Sequence, residues 1–268
     1  MAINKILFIN QEISPYLPET KLSLIGRELP QKVQEHGYEV RAFMPKYGVI
    51  NERKNQLHEV IRLSGMNLII DDTDNPLIIK VATLLPSRMQ VYFIFNDDYF
   101  QSGAGKDVTT LATATDNDER SIFFARGTLE TVKKLRWEPG FIHCNGWISA
   151  LAPLYLRKMY NEDPTFQNVK IVYSLYNDEG VVDFDSRFVE KLKMDGIESE
   201  QLAALEGKAV SYVELSKIAI SNSHGVIVQG DDINPEIIEY AKNLGVPVLE
   251  GKNIEADIED YLEFYNSL

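Results

Sequence analysis

The sequence predicts an α/β protein: a Rossmann-like parallel sheet with helices on both faces and a small antiparallel β insert. Three observations carry that prediction. Lys5 to Asn10 is an unbroken β-prone run at the start of the chain, as a strand covered on both faces requires. A loop, a helical pattern and a second strand follow it, a β-α-β opening for which a right-handed crossover is the default. Further on, Asn117 to Leu156 reads as helix, strand, tight loop and helix, and in an open α/β sheet ligands gather at the carboxyl ends of such strands.

Taken in order, residues 11–18 follow the first strand as a loop, because Pro15 and Pro18 remove donors and fix φ. Helical spacing predicts a helix over 22–35, bent at Pro30 and ended by Gly37, and then a strand over 40–44 with Arg41 its only charge. From 51 to 100 the chain turns β-rich. Residues 57–63 alternate, 77–84 are rich in Ile and Val, and 89–95 form an aromatic β run. Turn signals at Asp71-Asp72, Asp74-Asn75-Pro76 and Pro86-Ser87 separate them, so a small antiparallel insert on the parallel core is expected. The run Gly103-Ala104-Gly105-Lys106 lacks the spacing and flanks of a phosphate loop and reads as a surface turn.

Asn117 is the expected N-cap of the central helix, whose apolar face is Ile122, Phe123, Ala125, Leu129, Val132 and Leu135 and whose stop is Pro139-Gly140. Residues 141–144 then form a strand, and Asn145-Gly146 turns the chain into a helix beginning near Trp147. A strand over 169–174 leads into the loop 175–180. Helices are expected over 187–193, 206–220 and 235–244, the last with Pro235 in its first turn and Gly245 past its end. Strands are expected over 225–229 and 246–249. A last helix carries Ile254, Ile258, Tyr261, Leu262 and Tyr265 on one face and Glu255, Asp257, Glu259 and Glu263 on the other.

At 268 residues and 44% apolar, the chain suits one α/β domain over 1–268, with the β-rich insert near 51–100 and a docking helix over 250–268. With 27 basic and 40 acidic side chains the net charge is −13, and no basic run could follow a phosphate backbone, so nucleic acid is excluded as a partner. No run of eighteen apolar residues and no basic leader occurs, so no membrane association and a cytoplasmic location are expected. Cys144 is alone and reads as a buried small hydrophobe. His36 and His58 read as surface, His143 as core and His224 as a turn residue. None has a second ligand at metal spacing, so neither metal nor cofactor is expected. Asp71-Asp72, Asp97-Asp98 and Asp231-Asp232 read as solvated turns, and Asp118-Glu119-Arg120 as a set that caps and ties its helix.

Asn117-Asp118-Glu119-Arg120 followed by Phe123-Phe124, then Ile142-His143-Cys144, Trp147, Ala150-Leu151 and Pro153-Leu154-Tyr155-Leu156 resembles the N-terminal half of bacterial glycogen and starch synthases. Those are two-domain, GT-B type retaining transferases that move glucose from ADP-glucose to an α-1,4-glucan. The resemblance implies the N-terminal domain of that architecture, and a full synthase would continue into a second, nucleotide-binding domain that this chain is expected to lack. It also implies a Lys-x-Gly-Gly-Leu loop, whose lysine falls on Pro18, whose glycines fall on Thr20 and Lys21, and whose following aspartate falls on Leu24. The family's His-Asp-Trp-His loop is Asn145-Gly146-Trp147-Ile148 here, and its Ile-His-Asn is Leu175-Tyr176-Asn177. Each lost charged or donor contact of this kind removes about 2.7 to 4 kcal/mol of transition-state stabilisation.

No catalytic residue is therefore assigned. The positions expected to meet carbohydrate are Glu12, Tyr16, Tyr99, Asn145, Trp147 and Asn177, with Tyr and Trp offering faces on which a sugar ring can stack. Lys21, at a helix start, is the one residue placed to reach a phosphate. The function implied is a synthase-like protein, degenerate on its own, acting as a glucan- or oligosaccharide-binding or regulatory module. Its partners would be a saccharide, a sugar nucleotide, a protein or a second copy. The alternative is an active glucosyltransferase completed in trans by a chain that supplies the nucleotide-binding domain.

Overall fold

The structure is a computed structural model that describes residues 5–268 except 102, 179, 199–201, 203–204, 207, 230–231 and 252–253. Glu179 and Asp231 therefore lie outside the described residues, as do the side chains of Ala104, Ile254 and Glu255. The chain opens with strand β1 (Lys5–Asn10), helix α1 (Lys21–Glu35) and strand β2 (Glu39–Pro45). Strands β3 (His58–Glu59), β4 (Met66–Ile70), β5 (Thr73–Leu84) and β6 (Met89–Phe95) follow. Helices α2 (Val108–Leu111) and α3 (Asn117–Lys134) lead to strand β7 (Phe141–Asn145), helix α4 (Leu151–Lys158) and strand β8 (Lys170–Leu175). The rest is α5 (Phe188–Met194), α6 (Tyr212–Ser221), β9 (Gly225–Val228), α7 (Pro235–Asn243), β10 (Val248–Glu250) and α8 (Ile254–Ser267).

Nine of these strands run side by side in the order β10-β9-β8-β7-β1-β2-β6-β5-β3, and β4 pairs with β5. Every pairing from β10 to β6 is parallel, and those of β5 with β6, β3 and β4 are antiparallel. β1 lies at the centre with Ile6, Leu7, Phe8 and Ile9 fully buried, as the unbroken apolar run requires.

The β-rich stretch is antiparallel through β3, β4 and β5, as expected, and is continuous with the core sheet. β6 is itself a parallel strand beside β2, and the long β5 extends the same sheet. Asp74, Asn75 and Pro76 form no turn but lie within β5. Pro76 is tolerated there because it faces Asn67 in a two-stranded ribbon, and its carbonyl accepts from Asn96 Nδ2 (3.0 Å). The alternation at 57–63 yields only the two residues of β3, after which the chain turns and leaves Ile61 exposed.

Three helix boundaries also differ from expectation. Asp116, not Asn117, is the N-cap of α3; Asn117 is buried and donates from Nδ2 to the Leu111 carbonyl (2.7 Å). The same helix ends before Pro139, at Lys134, where Arg136 takes a left-handed φ of 51°. The helix expected over 206–220 begins at Tyr212, because Val210 pairs with Phe184 and the Ser211 hydroxyl caps the Glu214 amide. The run at 103–106 is a short 3₁₀ turn with Gly103 and Lys106 exposed, as expected of a surface turn, although Gly105 itself is buried against Tyr99 and Arg120.

α8 docks against α1 and the sheet as its apolar face anticipates. Ile258, Tyr261, Leu262 and Tyr265 are buried; Tyr265 bonds His143 Nδ1 through its hydroxyl (2.7 Å), and Tyr261 accepts from Gln229 Nε2 (2.9 Å). His143 also bonds Ser174 (2.7 Å), and full burial lowers its pKa to about 3, so the ring is neutral core. Burial likewise pushes the Cys144 thiol up, which makes it inert.

Candidate functional site

The carboxyl edge of the sheet carries a cleft of about 340 Å³. The loop after β1 contributes Gln11 and Glu12, and the first turn of α1 contributes Thr20, Lys21 and Leu22. Tyr176, Asn177 and Asp178 enter from the loop after β8, and Asp232 from the loop after β9.

α1 begins here for a local reason. Thr20 accepts from the Ser23 amide (3.0 Å) and Ser23 Oγ accepts from the Thr20 amide (2.8 Å), a reciprocal cap that satisfies two otherwise open donors. The Thr20 hydroxyl donates to Glu12 Oε2 (2.7 Å), and Gln11 Nε2 donates to Glu12 Oε1 (3.2 Å). A buried carboxylate of the chain itself therefore sits at the positive end of α1, where an incoming phosphate would otherwise be drawn.

The two glycines at the back of the site allow the close packing. Gly146 has φ +86°, and a Cβ there would meet Gln11 Cβ at 2.7 Å. A Cβ at Gly26 would meet the Glu12 carbonyl oxygen at 2.2 Å, so α1 can approach the β1 loop only without a side chain at this position. Gly26→Ala is expected to lower stability by about 1–3 kcal/mol through this overlap, as read by urea denaturation. An unchanged midpoint would contradict the packing.

Electrostatically the cleft is acidic. Asp178 is held up to about 7, first by burial and then by repulsion from Glu12. Asp232 adds a third carboxylate, and Lys21 is the cation among the lining residues. Such a surface suits hydroxyl groups, which carboxylates and amides bind by hydrogen bonds, and disfavours a diphosphate.

Of the seven positions singled out from sequence, the cleft brings together Glu12, Lys21 and Asn177. Tyr16, Tyr99, Asn145 and Trp147 do not line it. Tyr16 packs edge-on to Phe93 at 4.9 Å, and Trp147 packs against Phe184 and is 2% exposed. Tyr99 donates to Glu119 Oε2 (3.0 Å) beneath the Arg120 guanidinium, and Asn145 Nδ2 donates to Asn10 Oδ1 (2.9 Å). The rings of Tyr16, Tyr99 and Trp147 are thus buried by packing in this structure.

Gln11, Thr20, Tyr176, Asp178 and Asp232 escaped the sequence reading. The Thr20-x-x-Ser23 spacing was the legible signal for the first cap. Asp232, expected as a solvated turn, is exposed but faces the cleft. Among the described residues no group of three or more His, Cys, Asp or Glu side chains could hold a metal ion, and no helix is long and apolar enough to cross a membrane.

The family described as the starch synthase catalytic domain matches residues 5–250. A glycogen synthase of Chlorobium chlorochromatii is 38% identical over 195 residues, which cover 72% of this chain and 40% of that protein. One of Chlorobium limicola is 39% identical over 174 residues, covering 65% and 36%. This chain thus spans about 40% of the length of the curated relatives it matches. Among solved structures, the catalytic domain of starch synthase IV from Arabidopsis thaliana, bound to ADP and acarbose, shares the fold with a TM-score of 0.70. Its sequence identity is 19%, and the match covers 94% of this chain and 52% of that one.

Proposed function

The chain belongs to the family of the starch synthase catalytic domain, and from that premise we propose that it is a catalytically degenerate member that binds a glucan or oligosaccharide as a binding or regulatory module. The observation that carries this reading is the charge of the cleft. Glu12, Asp178 and Asp232 face it together with Lys21, and the Thr20 hydroxyl already holds Glu12 at the start of α1. A sugar diphosphate would need cations where the chain presents carboxylates, whereas a neutral saccharide needs only donors and acceptors. A cytoplasmic setting with glucan at hand, and a protein partner or second copy to regulate, goes with this role.

Calorimetric titration of the purified chain with maltoheptaose and with ADP-glucose tests it. Heat from the saccharide and none from the nucleotide is the expected result. Transfer of labelled glucose from ADP-glucose to glycogen by this chain alone would overturn the proposal.

The second reading, a transferase completed by a separate nucleotide-binding chain, draws on Lys21, which lines the cleft at the first position of α1. Heat from ADP-glucose in the same titration would favour it.

A further inference from the structure

At the amino edge of the sheet, opposite the cleft, two hydrogen-bond donors point at each other. His224 stands just before β9 and clasps β8 twice: its amide donates to the Ile171 carbonyl (2.7 Å), and its ring Nδ1 accepts from the Ile171 amide (2.9 Å). Burial first, and then the charges of Arg157 and Lys170, lower the His224 pKa to about 4, so the ring is neutral at pH 7. A neutral imidazole carries one N–H, and with Nδ1 accepting, that proton is on Nε2. Nε2 lies 2.9 Å from Nη2 of Arg157, in the last turn of α4, and a guanidinium can only donate. The carbonyls at the end of α6 do not call for these donors, because Asn222 Nδ2 and Ser223 Oγ donate to those of Ile218 and Ala219 (2.8 Å each). Although the chain carries 40 acidic side chains, neither Arg157 nor Lys170 forms an ion pair among the described residues.

We infer that Arg157, Lys170 and His224 form an anion site that takes a phosphate group, separate from the cleft and independent of what the cleft binds. A phosphate oxygen placed between Arg157 and His224 accepts from both, which turns two opposed donors into two charge-assisted hydrogen bonds. The remaining oxygens are left for the other guanidinium N–H groups and for the Lys170 ammonium. Two fixed positive charges match a phosphate dianion better than the single charge of a carboxylate. The bond from the Ile171 amide fixes the His224 ring in place, while Arg157, which is exposed, can settle around the ion. The three residues come from α4, from the start of β8 and from the turn into β9, so only the fold assembles them.

With only four histidines in the chain, ring signals in NMR spectra at neutral pH report on the site, and His224→Gln identifies those of His224. Long-range proton–nitrogen spectra are expected to show His224 with its proton on Nε2; a proton on Nδ1 overturns the inference. Titration with inorganic phosphate, at an ionic strength held constant with sodium chloride, is expected to move the His224 signals saturably and to leave those of the buried His143 in place. Arg157→Gln and Lys170→Gln are each expected to weaken that response about tenfold, the loss of one hydrogen bond to a charged group. Phenyl phosphate is titrated in parallel. Saturation by it identifies a phosphate ester as the ligand, and saturation by inorganic phosphate alone identifies the free ion; either supports the site. No saturable shift with either compound, or a shift that neither substitution weakens, overturns it. No saccharide enters this test, so its failure leaves the reading of the cleft standing.

Discussion

Lys191→Met lowers the stability of the folded chain by about 3–5 kcal/mol, the range seen when one partner of a buried ion pair is removed. Lys191 reaches from α5 to the start of α3, where its ammonium bonds Asp118 Oδ2 (2.6 Å) and Glu119 Oε1 (2.7 Å). The Lys191 side chain is 6% exposed and that of Asp118 is fully buried. Burial raises the Asp118 pKa, against the pull of Lys191. Without the ammonium that carboxylate has lost its compensating charge, and it must either take up a proton or stay ionised away from water. Asp118→Asn on the Lys191→Met background is therefore expected to recover most of the loss, because the neutral amide needs no counter-charge. Urea denaturation at neutral pH measures both variants. A single variant within about 1 kcal/mol of wild type would show that the pair carries little net free energy, as exposed pairs do.

Asp178→Asn raises the melting temperature by several degrees at pH 8 and by little at pH 4. The carboxyl is held up to about 7 in the fold, while an unfolded aspartate titrates near 3.9. Between those values the folded chain holds a proton that the unfolded chain has released, so this group makes stability fall as pH rises from about 4 to about 7 and level off above. Three pKa units set an upper bound of about 4 kcal/mol on that fall, reduced because a half-buried carboxyl keeps part of its hydration. Asparagine keeps the shape and removes the ionisation, so its advantage belongs to the alkaline side. An equal shift in melting temperature at both pH values would sink the assignment, because a packing change does not titrate. A gain at pH 8 alone also locates the acidic character of the cleft at this residue.

The sheet was largely legible in the chain. Runs such as Lys5–Asn10 and Phe141–Asn145 are apolar, of strand length and bounded by proline, glycine or asparagine, and each became a buried parallel strand. The β6 run was legible as a strand but not as a parallel one, since its partner β2 lies forty-odd residues away and nothing local encodes the direction of pairing. The acidic set at 118–119 was legible as a polar helix start. That it binds Lys191 on α5 could not be read, because that contact spans more than seventy residues.

The site divides in the same way. Glu12, Lys21 and Asn177 could be placed near the carboxyl edge from strand order, whereas Tyr99 and Trp147 stood at equally plausible positions and turned inward.

What the sequence by itself determined is the alternation of strands and helices, the start of α1 and the family to which the chain is similar, because periodicity, caps and motifs are written in neighbouring residues. Only the tertiary structure decided that Glu12, Asp178 and Asp232 face one cleft. Those groups come from loops more than fifty residues apart, the nearest being those after β8 and after β9, and the field of a cleft is a sum over charges that only folding brings within reach of one another.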